Sequence, residues 1–221
     1  MKTTTPVGTE IHNLLADALR WRYAVKKFDA NQKIGEEDLY GILQATQLSP
    51  SSMGLQPYTF KHIKDEVLRE TLAANTSNQT QMRTASDIVV FAAKTAITET
   101  EVDEFVRLGA TLRGYSPEAI DKRINMMNGF IAGFKNDALF QWATNQAYLA
   151  MGQMLTSAAI LRIDTCPMEG IDTAAFDRIL DMKSLNLRTL AVVALGYRAS
   201  DDALSTQPKV RKPIDQLFEI I

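Results

Sequence analysis

Apolar residues recur at helical spacing near the start of the chain. Ile11, Leu14, Leu15, Ala18 and Leu19 fall on one stripe, which predicts an amphipathic helix over residues 10–21 with that stripe buried. The period then breaks. From Arg22 to Phe28 charged and apolar residues mix without helical rhythm, and Asp29-Ala30-Asn31 supplies turn chemistry. Leu39, Ile42, Leu43 and Thr46 mark a second helix that ends near Ser49-Pro50. Tyr58 to Ile63 alternates like a strand, and Ile88 to Ala93 is a continuous apolar run suited to a central strand covered on both faces.

Between Glu99 and Gly133 the pattern is helical but rich in charge and methionine, broken by Gly114-Tyr115-Ser116-Pro117. Residues 136–161 form the most helix-like segment, with a broad apolar face of Trp142, Ala143, Ala147, Tyr148, Met151, Leu155, Ala158 and Ala159. A short strand over 163–166, a helix near 174–182 and the strongest strand, 189–197, follow. Pro208 and Pro213 bias the stretch between them towards extended backbone. Strands interleaved with helices predict a mixed α/β sandwich rather than a helical bundle. No repeat or linker divides it, so residues 1–221 read as a single domain.

Composition narrows the function classes. With 221 residues, 46% of them hydrophobic, the chain can bury a substantial core without staples. A net charge of −2 gives no general attraction to nucleic acid or anionic membrane. Cys166 is the only cysteine, which excludes an internal disulfide framework and any cysteine-built metal site within one chain; no metal is expected. The first ten residues lack a secretory apolar stretch, and no apolar run reaches the roughly 18 to 20 residues that span a bilayer. The expectation is a soluble, cytoplasmic protein.

Four clusters carry candidate chemistry. In extended backbone Arg22, Ala24 and Lys26 share a face, with the two cations about 13 Å apart. That suits a ligand with a phosphate at one end and an electron-accepting ring at the other. On this segment alone, a solvated patch at a helix end is the simpler reading. Ser49-Pro50-Ser51-Ser52-Met53-Gly54-Leu55-Gln56-Pro57 joins a helix to a strand, two prolines fixing the backbone while serines and glycine leave hydroxyl and amide donors free. An ordinary connection would explain the prolines and glycine but not the paired serines. Cys166-Pro167-Met168-Glu169-Gly170 follows a short strand, where Gly170 permits close approach. Lys209 and Arg211 share a face and suit a phosphate dianion, although a solvated tail would explain them too. Neither His12 nor His62 sits in a recognisable catalytic triad.

Taken in order, Arg22-x-x-x-Lys26-x-Phe28-Asp29, Ser49-Pro50-Ser51-Ser52 with Gln56-Pro57, Pro167-x-Glu169-Gly170 and Lys209-x-Arg211 resemble the FMN-dependent nitroreductase family. The type is that of the oxygen-insensitive NAD(P)H nitroreductases and dihydropteridine reductases. The resemblance runs from about Ala18 to the end. It implies an α+β fold: a three-layer sandwich with a mixed, mostly antiparallel sheet flanked by helices, in an intertwined homodimer. A C-terminal segment over about 205–221 would reach the partner subunit, and each of two FMN sites would draw residues from both chains.

By the same resemblance, Arg22, Lys209 and Arg211 clamp the FMN phosphate, and Lys26 places positive charge beside the flavin ring. Tyr23, Ala24, Pro50, Ser51, Ser52, Gly54, Asn78, Gln81, Gln146, Pro167, Met168, Glu169 and Gly170 complete the cofactor contacts. Two positions depart from the pattern: Ala24 stands where many relatives have a serine, and Gln81 where similar members have a lysine. The implied activity is a ping-pong transfer of electrons from NADH or NADPH to nitroaromatics, quinones or related small oxidised acceptors. No side chain need act as a covalent catalyst. A flavin or dihydropteridine reductase, and a flavin-binding protein without turnover, are the alternatives.

Overall fold

The computed structural model describes residues 7–77 and 79–221, which form eight α-helices and a four-stranded sheet. The helices are α1 (Val7–Trp21), α2 (Glu36–Gln47), α3 (Glu66–Ala73), α4 (Gln81–Thr84), α5 (Glu99–Arg113), α6 (Pro117–Ala132), α7 (Ala138–Ile160) and α8 (Thr173–Ile179). The strands are β1 (Tyr58–Ile63), β2 (Asp87–Lys94), β3 (Asp164–Met168) and β4 (Leu187–Gly196), ordered β1-β2-β4-β3. Every ladder is antiparallel. The parallel component of the expected mixed sheet is confined to one bridge, between Ala24 and Thr165.

Side-chain alternation along β2 and β4 divides the core. Ile88, Val90, Ala92, Val192 and Ala194 face a layer containing Leu72 of α3, Met82 of α4 and Phe176 of α8. Val89, Phe91, Ala191, Val193 and Leu195 face Ile42 of α2 and Met151, Met154 and Ala158 of α7. Both faces of β2 are therefore covered, which is why its sequence is apolar without alternation. A third, smaller cluster joins α5 to α6 through Val102, Val106 and Met127, and Met53 and Leu55 pack against it.

Two expectations need correction, and one stretch carries none. The α1 stripe is not buried: Ala18 is, but Ile11 is 60% exposed and Leu14, Leu15 and Leu19 are also open. The described residues offer those side chains no cover, since α1 lies on α7 at the rim of the sandwich. Second, the short strand extends through Pro167 to Met168, because β3 is an edge strand where a missing N–H costs no ladder bond. α3 and α4 fill the stretch between β1 and β2, to which the sequence pattern assigns no element. Asp65 caps α3, its carboxylate accepting from the Leu68 amide at 2.6 Å.

Candidate functional site

The chain leaves α1 at Trp21 and docks against the edge of β3. The Val25 amide donates to Thr165 O at 3.2 Å, and Ala199 N donates to Lys27 O at 2.9 Å. Val25 and Phe28 turn into the core, which aims Arg22, Ala24 and Lys26 outward into a cleft of about 400 Å³. Tyr23, Lys209 and Arg211 line the same cleft. The structure thus brings together residues near both ends of the chain.

The electrostatics of this cleft are one-sided. Arg22 has a buried Nε that finds no hydrogen-bond partner among the described residues, and burial followed by the nearby charge of Arg211 lowers its pKa. Lys209 is lowered by burial and then by Arg22 and Arg211. Its ammonium donates to the carbonyls of Leu19, at 2.5 Å, and Arg22, at the C-terminal end of α1 where a cation is favoured. Among the described residues, no ion pair neutralises Arg22, Lys209 or Arg211. Three cations that repel one another in a half-buried cleft favour an anion carrying more than one charge.

Asp202 supports this segment from behind. Only 4% exposed, it accepts from the amides of Lys26 and Lys27 at 2.8 and 3.0 Å, and from Leu204 N at 3.0 Å. Arg198 completes the mounting, pairing with buried Asp164 while its guanidinium lies 4.3 Å from the Trp21 ring centroid and 4.5 Å from that of Tyr23. Neither acid stood out in the sequence, because the partners of Asp202 and Asp164 are remote along the chain and an Asp alone looks the same whether it meets them or faces water.

The remaining candidates lie around the cleft or apart from it. Gln81 is buried beneath the Arg22–Phe28 segment, its amide nitrogen 3.6 Å from Cys166 Sγ. Pro167, Met168 and Glu169 line a neighbouring groove with Tyr148 and Met151 of α7. The Tyr148 hydroxyl donates to Glu169 Oε1 at 2.5 Å; burial and that carboxylate push its pKa up to about 12. Gly170 is closely approached, as its sequence position suggests. A Cβ there would lie 2.8 Å from the Gln79 side-chain nitrogen, and Ser77 N donates to its carbonyl. Asn78 lies outside the described residues.

Pro50, Ser51, Ser52 and Gly54 are carried at the other edge of the sheet, in the loop that feeds β1. Ser52 N donates to Gln146 Oε1 at 2.8 Å, so Gln146 of α7 fixes this loop. Ser51 Oγ accepts from Gln56 N at 3.0 Å, and Met53, Gly54 and Gln56 all take positive φ. The loop's chemistry is therefore partly spent on its own shape. With β1 and β3 three strand spacings apart, about 14 Å, one chain does not bring this loop into the cation cleft.

Relatives decide the family. The Nitroreductase family profile matches residues 19–197. A protein of Staphylococcus saprophyticus named a putative NAD(P)H nitroreductase is 34% identical over 220 residues, covering 96% of this chain and 98% of that one. The chain belongs to the nitroreductase family. Its members are oxidoreductases, and solved structures agree on the fold. A nitroreductase-named protein of Bacillus subtilis superposes with a TM-score of 0.83 at 21% identity, over 97% of this chain and 100% of that one. A family structure from Exiguobacterium sibiricum, solved in complex with FMN, gives 0.79 at 22% identity, over 94% and 97% of the two chains. No helix among the described residues is long and apolar enough to cross a membrane.

Proposed function

We propose that this oxidoreductase holds FMN between two subunits and uses it to pass electrons from NADH or NADPH to small oxidised organic acceptors by a ping-pong cycle. The observation that carries the reading is the cation cleft: Arg22, with its orphaned buried Nε, beside Lys209 and Arg211 and without a carboxylate to answer them. A phosphate monoester would supply the missing dianion, held by Arg22, Lys209 and Arg211. When bound, FMN supplies hydride acceptance and delivery. Arg22, Lys209 and Arg211 hold its phosphate, and Lys26 sets a positive charge further along the same face. The carbonyls of the Glu169-Gly170 turn are taken by Ile171 N and Ser77 N, so the groups this turn would offer the cofactor are its amides.

The second wall of the site is the Pro50–Gly54 loop with Gln146, contributed by the partner. Two features support that dimer. The stripe Ile11, Leu14, Leu15 and Leu19 is exposed along α1, and Val210, Ile214, Leu217 and Phe218 are exposed in the tail. Apolar side chains at that density are an interface in waiting. The tail then reaches the neighbouring subunit while Lys209 and Arg211 stay in their own cleft.

The test is spectroscopic. Purified protein shows flavin bands, and anaerobic addition of NADH or NADPH bleaches them. Arg211→Ala loses FMN on dialysis, because a charge-assisted contact to the phosphate is gone. A colourless protein that FMN does not reconstitute sinks the reading. A yellow protein that neither nicotinamide bleaches makes it a flavin binder instead.

A further inference from the structure

The turn between α5 and α6 gathers two guanidiniums and a phenol away from the cation cleft. Gly114, at φ +66°, ends α5, and the amides of Gly114 and Tyr115 both donate to Ala110 O, at 2.8 and 3.3 Å. Ser116 caps α6 and Pro117 opens it. This tight return folds Tyr115 against α5, where Arg113 Nη1 donates to its hydroxyl at 3.0 Å. From the antiparallel α6, Arg123 Nη2 reaches Met53 O at 3.4 Å. The Arg113 hydrogen bond, then the charges of Arg113 and Arg123, hold the Tyr115 phenol below its ordinary pKa, so both cations act on one point.

Between them lies a cleft of about 190 Å³, with Arg113, Tyr115 and Arg123 on the polar side and Phe105, Leu108 and Leu112 on the apolar side. Its floor is Met53 and Gly54. Among the described residues neither arginine is paired with a carboxylate; nearby Asp103 is taken by Arg107 at 2.7 Å. The loop beneath lies in van der Waals reach of the hairpin, with Gly54, at φ +74°, beside the Phe105 ring.

We propose that this cleft binds the carboxylate of a small amphipathic acid and so favours anionic acceptors. Two guanidinium forks match a carboxylate's two oxygens, the phenol adds a third donor, and the apolar wall takes the hydrocarbon body. The volume holds a single ring; a nucleotide bearing a phosphate on its ribose does not fit within it. Naming the ligand an acceptor rests on the proposed electron-transfer reading, through the shared Met53-Gly54 floor. The preference for an anion stands on the cleft alone.

Isothermal titration of the purified holoprotein with 4-nitrobenzoate and with neutral 4-nitrobenzamide tests it. The acid binds about tenfold tighter than the amide, the size expected of a charge-assisted contact at a half-open site. In R113Q/R123Q the ratio of the two affinities falls to about one. Arg113→Gln alone, at a fully exposed position, lowers the ratio part-way and guards against misfolding of the double variant. Equal binding of acid and amide by the unaltered protein overturns the proposal. So does a preference that survives in R113Q/R123Q, or a double variant that loses affinity for NADPH while keeping its preference for the acid. Acid preference in a protein that no nicotinamide bleaches upholds the cleft and sinks the electron-transfer reading, so the two failures are distinguishable.

Discussion

Asp202 shows how much a single residue can carry without touching a ligand. Burial alone would raise its pKa, but the amides of Leu204, Lys27 and Lys26 stabilise the carboxylate and hold it lower than usual. Removing it leaves those amides unanswered, so Asp202→Ala costs about 2 to 3 kcal/mol at neutral pH and loosens the segment bearing Lys26. The sign of the pH dependence follows. A depressed folded pKa gives stability that is complete above the unfolded value, about 4, and lost as pH falls through the folded one. Urea unfolding should show a constant gap between parent and variant from pH 7 to about 5, narrowing below pH 4. A gap that widens on acidification refutes the assignment. The cations of the cleft were legible in the sequence because their spacing and charge stand out. Asp202 was not, because its partners at positions 26 and 27 are remote along the chain.

At the scale of elements, local chemistry decided what could be read. The α5–α6 turn announced itself through Gly114-Tyr115-Ser116-Pro117, and the structure uses each of the last two as cap and first residue of α6. Gly114→Ala puts a Cβ on a left-handed residue and should cost about 1 kcal/mol in urea unfolding. It should also detach Tyr115 from Arg113, since the return of the chain depends on that φ. Unchanged stability would mean the turn tolerates another backbone shape. β2 was equally legible, as its apolar run is short and opens with Ile88-Val89-Val90-Phe91, β-branched and aromatic residues that favour a doubly covered strand over a buried helix. α3 was not, because eight residues give too few turns for a period to register, and its Asp65 cap is the one local signal. The end of β3 was misplaced because proline argues against a strand until it is known to lie at an edge.

On the proposed reading the site is completed by a second copy of the chain, and that governs the last prediction. L14E/L15E places charge on the exposed α1 stripe without disturbing buried Ala18. Sedimentation velocity should find the parent dimeric and the variant monomeric, with FMN lost alongside the partner's Pro50–Gly54 loop. A monomeric parent that retains FMN would sink the two-subunit site. The sequence by itself determined the periodicities, the family, and which cations were available, because these depend on residue type and order. Only the tertiary structure decided that Arg22 and Arg211 share a cleft, that the Ser51 loop lies at the opposite edge, and that the described residues leave the α1 stripe uncovered. Those are facts about distance through space, fixed by strand order and chain return, and the order of residues along a chain does not state them.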